Sequence, residues 1–185
     1  PSQQSLQITS SIPGAEIRFS FDGTTPNRTA TLFPGNFNVI RTYTIKARVY
    51  VPGMLSSKVV TQTYFIGENY DLPVISISTN NQNINDNTFG IFRNSIKDRE
   101  VPAVIEYFDR TKQLQFETAM GLRIFGSTIY TLPQKPLSIR FNSRYGDAPL
   151  NYPLFEGREN EVYHSFQLRN GGNDYNVAYF RDGLS

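Results

Sequence analysis

A lysine on the apolar side of a strand is the feature of this sequence with the clearest chemical consequence. Lys135 stands in Leu132-Pro133-Gln134-Lys135-Pro136-Leu137-Ser138-Ile139-Arg140-Phe141 and shares its parity with Leu137, Ile139 and Phe141. Alternate residues of a strand face opposite sides, so an unbroken strand turns Lys135 inward. A buried ammonium without a partner is costly, and such a lysine needs a carboxylate or an anionic ligand. A second reading of the same residues stands beside the first. Pro136 interrupts the register, and Lys135 runs its aliphatic stem along the sheet to water. The other stretch of interest is Arg169-Asn170-Gly171-Gly172-Asn173-Asp174. Its glycine pair permits close backbone approach to a ligand, while the same residues also make a strand-to-helix turn capped by Asn173 or Asp174.

Other chemistries are excluded by residue type. The chain has no Cys and a single His, so disulfides, thiolate metal sites and a histidine-based zinc site are ruled out. His164 has the parity of Val162, Phe166 and Leu168 and reads as a half-buried, hydrogen-bonded side chain. No phosphate-binding glycine motif and no nucleophile elbow occurs. The Asn-rich run from Asn80 to Gly90 fails as an EF-hand, because Asp86 falls where the loop requires Gly, and it reads as a surface loop. With 18 basic and 16 acidic residues the net charge is +2, too small for nucleic-acid binding by field alone. No run of 18 apolar residues is available to span a membrane.

The elements that must position Lys135 are strands. Phe (14) and Tyr (11) are abundant, both favour strands, and period-two alternation is explicit. Ile17, Phe19 and Phe21 oppose Glu16, Arg18 and Ser20; Tyr43, Ile45, Ala47 and Val49 oppose Thr42, Thr44, Lys46 and Arg48. That is the pattern of a sheet with one apolar and one wet face. Pro13-Gly14, Asp22-Gly23 and Pro52-Gly53 supply turns, and a last strand from Val59 to Ile66 completes a β-sandwich over residues 1–67. Residues 68–71 form a polar link. Further strands are expected at Leu72–Ser78, Pro102–Phe108, Gln113–Gly126, Leu137–Phe141 and Val162–Arg169. The fold class is therefore all-β, with at most one short helix, near Val177 and Phe180. Both ends of the chain read as cut from a longer protein.

Two resemblances follow from longer stretches. Gly14-Ala15-Glu16-Ile17-Arg18-Phe19-Ser20-Phe21-Asp22-Gly23-Thr24-Thr25-Pro26, then Tyr43-Thr44-Ile45-Lys46-Ala47-Arg48, Gly53, Ser56 and Tyr64 resemble the chitobiase/β-hexosaminidase C-terminal-type domain, which implies an immunoglobulin-like sandwich serving as a spacer or accessory module. From residue 72 onward, Leu72–Ser78, Gly121–Ser127, Gln134–Arg140, Asn151–Phe155 and Leu168–Asp174 resemble the amino-terminal half of the CotH kinase-like family. The implied architecture for 72–185 is a β-rich, N-lobe-like half-domain. The family is described as an atypical protein kinase using ATP and a divalent metal. Its glycine-serine segment falls on Gly126 and Ser127, and its phosphate-contacting lysine on Lys135, with Arg123, Arg169, Asn170 and Asn173 as supporting residues. Phe125 stands where the family often has His or Asn, and Pro136 where Ser is usual.

The implied function is that of part of a secreted or cell-surface bacterial CotH-type protein. Its parent would transfer phosphate from ATP, with Mg²⁺ or Mn²⁺, to a protein acceptor. The family's metal-binding and catalytic carboxylates lie beyond Ser185, so the chain itself is expected to carry no catalytic or metal-binding residue, to hold no cofactor and to be inactive. Its expected partner is the remainder of the same polypeptide, with no nucleic acid and no membrane insertion. Two further classes fit the composition. Sheet-borne Phe and Tyr stack on sugars, giving an accessory module that binds carbohydrate or the cell surface, and a spacer needs no ligand at all.

Overall fold

A computed structural model describes residues 2–94, 99–126, 134–155, 157–158 and 161–170. The fold is all-β and antiparallel, with two short helices. Thirteen strands are present among the described residues: β1 (Gln4–Leu6), β2 (Glu16–Ser20), β3 (Thr31–Leu32), β4 (Phe37–Val39), β5 (Tyr43–Tyr50), β6 (Val60–Tyr64), β7 (Val74–Ser78), β8 (Val101–Phe108), β9 (Leu114–Ile124), β10 (Leu137–Arg140), β11 (Leu150–Asn151), β12 (Val162–Tyr163) and β13 (Ser165–Leu168). They pair as β3-β2-β5-β6, β1-β4, β13-β10-β9-β8-β7 and β11-β12. The chain divides into two compact units, residues 1–80 with 104–117, and residues 81–103 with 118–185.

The first unit holds the sandwich. The apolar parity of β2 and β5 packs inward, as the alternation requires. Phe19, Ile45 and Ala47 join Leu6, Phe33, Val39 and Ile66 in one core. Phe19 meets Phe33 edge-on at 5.4 Å and Phe37 at 5.5 Å, geometry worth about 1 kcal/mol per pair beyond burial. Gly23 closes the β2 turn at φ +80, and Asp22 Oδ1 accepts from the Thr24 amide (3.0 Å) and hydroxyl (2.6 Å). Turn chemistry of this kind is strongly favoured, and it is what marks Asp22-Gly23 as a turn in the sequence.

The opposite face of the same sheet is not wet. Thr44, Lys46, Thr61 and Thr63 lie on it, and Lys46 is only 3% exposed. Within the same unit, the face of β7 and β8 bearing Ser76, Ser78 and Glu106 bonds against it. A polar row meets water or another polar row with the same alternation, and period two does not distinguish them.

Two short helices are present among the described residues, rather than at most one: α1 (Asn81–Asn85) inside the Asn-rich stretch read as a loop, and α2 (Ile91–Asn94) directly after it. Neither is long enough to show a 3.6-residue period, which is why the polar composition concealed them. The one helix anticipated, near Val177 and Phe180, lies outside the described residues. Asp86 Oδ1 accepts from the Thr88 and Phe89 amides at 2.8 and 2.7 Å. His164 is exposed, not half-buried, at a bend between β12 and β13; the bend breaks the parity on which that reading rested.

Gly90 is fixed by space. A Cβ there would come within 2.5 Å of Asp86 N and Ile84 O, backbone atoms that cannot swing aside. Gly90→Ala is expected to lower stability by about 1–3 kcal/mol, the range for overpacking, whereas Gly14→Ala meets open space and carries only the strain of φ +73. Chemical denaturation of both variants checks the order.

Candidate functional site

The second unit carries the strand ends around Lys135. Leu137 pairs with Ile124 on one side and Leu168 on the other. The Phe125 amide donates to Pro136 O at 3.0 Å, so the register continues past the last assigned pair. One more step sets Lys135 opposite Gly126, and the same step on the other side sets it opposite Asn170. Pro136 has no N–H to return to Phe125, and the ladder ends there. Beyond it Asn170 takes over, its side-chain amide donating to Gln134 O at 2.6 Å. Lys135 is half-buried, Gly126 is exposed, and Gly126 has φ +99, a conformation that glycine adopts without strain.

The other expected residues divide. Arg123 shares a row with Ser138 and Gln167, one residue out of step with Lys135, and Arg169 keeps the parity of Gln167. Both arginines therefore belong to the opposite face of the sheet. Ser127 and Asn173 lie outside the described residues. The site thus consists of one cation, one permissive backbone position and an amide that pins the cation's segment. Such a set can hold an anion, since a lysine acts as a point charge on phosphate. Among the described residues no group of three acidic, histidine or cysteine side chains could hold a metal ion.

A second constellation, in the first unit, escaped sequence reasoning. Glu106 on β8 is 0% exposed. Its Oε1 accepts from the Thr63 amide at 2.7 Å and its Oε2 from the Thr63 hydroxyl at 2.5 Å. That hydroxyl keeps two lone pairs, which lie 2.7 Å from Ser76 Oγ and 2.9 Å from Thr44 Oγ1. Burial pushes the Glu106 carboxyl above its ordinary value, opposed by the Thr63 and Ser76 bonds and by Lys46. Burial pulls the Lys46 ammonium down, opposed by Glu106, Glu117 and Asp22. Glu117 sits at the exposed rim, its carboxyl partly withdrawn from water and pushed up by burial and then by Glu106. The signal was present in Val104-Ile105-Glu106-Tyr107-Phe108, a lone carboxylate with apolar neighbours on both parities.

Residues 6–64 match the family model described as Fn3 associated, and modules of this type are typical of extracellular proteins. The match covers the strands of the sandwich from Leu6 to Tyr64. No curated protein and no solved structure matches the chain. No helix among the described residues is long and apolar enough to cross a membrane.

The Glu106 cluster has a measurable signature. The folded chain binds the Glu106 proton more readily than the unfolded chain does. Stability is therefore expected to fall as pH rises from 4.5 through the raised folded value, and Glu117 contributes with the same sign. Lys46, held below 10.5, adds a rise at the alkaline end. Urea denaturation across pH should show Glu106→Gln flattening the acid limb. Glu106→Ala, which strands the Thr63 amide and leaves Lys46 uncompensated, should cost about 3 kcal/mol or more. An unchanged acid slope in Glu106→Gln would count against the assignment.

Proposed function

We propose that the chain is the phosphate-recognising, N-lobe-like part of an extracellular CotH-type kinase-like protein, preceded by a sandwich of the chitobiase/β-hexosaminidase C-terminal type that holds it away from its attachment. The observation that carries this reading is the convergence of the ends of β9, β10 and β13 beyond Leu137, whose continued register would set Gly126 and Asn170 on either side of Lys135. Lys135 supplies charge to a phosphate, and Gly126 lets that phosphate approach the backbone. Asn170 is a positioning residue, since its amide holds Gln134, next to the lysine. ATP, with a divalent ion in the full-length protein, supplies the phosphoryl group. The described residues bind and orient it, and the carboxylates that would complete transfer are expected beyond Ser185. Domain limits of 1–67 and 72–185, joined by 68–71, belong to the same proposal.

The Fn3-associated match favours a second reading, in which the chain is an accessory or spacer module of a surface protein and its exposed aromatic rings meet glycans. The two readings part on nucleotide binding. Titration of the 185-residue chain with ATP, followed by calorimetry, is expected to show weak binding that Lys135→Ala lowers about 10-fold or more, the loss of one charge-assisted contact. Asn170→Ala should lower it less. With Mg²⁺ or Mn²⁺ and a generic protein acceptor, no phosphoryl transfer should occur. Equal binding by wild type and Lys135→Ala, or no binding at all, overturns the phosphate site. Retention on insoluble glycans would then support the accessory reading.

A further inference from the structure

The sandwich in the first unit is covered unequally. Adjacent strands lie about 4.8 Å apart, so the four-stranded sheet β3-β2-β5-β6 is some three strand spacings wide, while the facing β1-β4 sheet spans one. Over the β5–β6 half the cover is incomplete: Ile45 and Ala47 are buried, but Val60 at the rim is exposed. There a cleft of about 380 Å³ runs between Leu6–Thr9 on one side and Val60, Gln62 and Tyr64 on the other, floored by Ile45 and Ala47. A second cleft of about 450 Å³ continues it past Ile12, Met54 and Leu55, sharing Thr9, Val49, Ser57 and Val60 with the first.

Three observations define what fits. The chain beside the cleft runs on from β1 unpaired: among the described residues β1 bonds only β4, through Gln4, Ser5 and Leu6, and Gln7, Ile8 and Thr9 make no backbone hydrogen bond. A row of free donors and acceptors is a template for another strand. Large apolar side chains line the open end, with Val60 65% and Leu55 98% exposed, which a monomer's surface rarely gathers in one place. The charged residues lining the two clefts are both basic, Arg48 and Lys58.

We infer that this groove binds an extended peptide segment of another protein, added as a strand beside Gln7–Thr9. Alternate apolar side chains of that segment would fill the cleft, and an acidic residue at one end would meet Arg48 and Lys58. Main-chain bonds give such strand addition its affinity, and the pockets for alternate side chains give its specificity. The chemistry is independent of nucleotide binding, because every residue named belongs to the first unit.

The probe is a synthetic nine-residue peptide alternating Val and Thr and ending in Asp, with a Lys-ended counterpart. Hydrogen exchange of the 185-residue chain reads the amides of Gln7, Ile8 and Thr9. The expected result is exchange slowed at least 10-fold at these positions by the Asp peptide and less by the Lys peptide. Val60→Arg, at an exposed position, should abolish the effect while leaving the melting temperature within a few degrees of wild type. No slowing at millimolar peptide overturns the proposal, as does equal slowing in a folded Val60→Arg. Slowing that depends on protein concentration without any peptide also overturns it, and assigns the groove to a second copy of the chain.

Discussion

The carboxylate of Glu106 is the constraint around which the first unit is arranged. Strand β6 is the last in its sheet, and the amide of Thr63 points out of that edge. An outward amide that is then buried must find an acceptor. Glu106 accepts it and takes the hydroxyl of the same residue with its other oxygen. The cost is a buried charge, which is why its proton affinity is raised and why Lys46, nearly as buried, is held close by in the same field. Apolar replacements of such groups are often no less stable. What the seam adds is register, for a slip of β8 by one residue would set Ile105 or Tyr107 against the Thr63 amide and leave it without an acceptor.

This arrangement also marks the limit of the alternation as a guide. The apolar half of the pattern in β2 and β5 found Phe19, Ile45 and Ala47 in the core with Ile17 and Tyr43 packed against it, while Phe21 of the same parity stays 44% exposed. The polar half said only that Thr44, Lys46 and Thr63 face something polar. What they face is a second polar surface rather than solvent. A charge set among apolar positions requires a partner, and the need is greater for Glu106, whose neighbours on both parities are apolar, than for Lys135. The strand ends were legible to a comparable degree. Parity set Leu137 and Ile139 on one side of β10, but it could not show that Arg123 shares the row of Ser138 and Gln167, which depends on the register between strands distant in sequence.

Pro136 reconciles the two readings of Lys135. It ends the ladder, as the interrupting reading requires, yet it does so after accepting one bond from Phe125, so the register survives for the residue before it. Lys135 thus stands beyond the last paired residue, half-buried rather than enclosed. On the other side of β10, the Asn170 side-chain amide reaches Gln134 O beyond the last pair with β13. The lysine is held at the margin of the sheet, close to water, where a cation is far less costly than inside.

The two faces of the four-stranded sheet differ in how freely their covers could be exchanged. On the polar face, removing β7 and β8 would leave the Thr63 amide and the Lys46 ammonium to find new partners or to be hydrated, so the cover is specified group by group. On the apolar face the requirement is only area and shape, since the hydrophobic effect is non-directional. A cover there is replaceable, and the main-chain groups of Gln7, Ile8 and Thr9 supply the directionality that apolar contact lacks. A sheet so built fixes its neighbour in the chain through hydrogen bonds and charge, and keeps its adaptable surface for a strand that the sandwich itself does not provide.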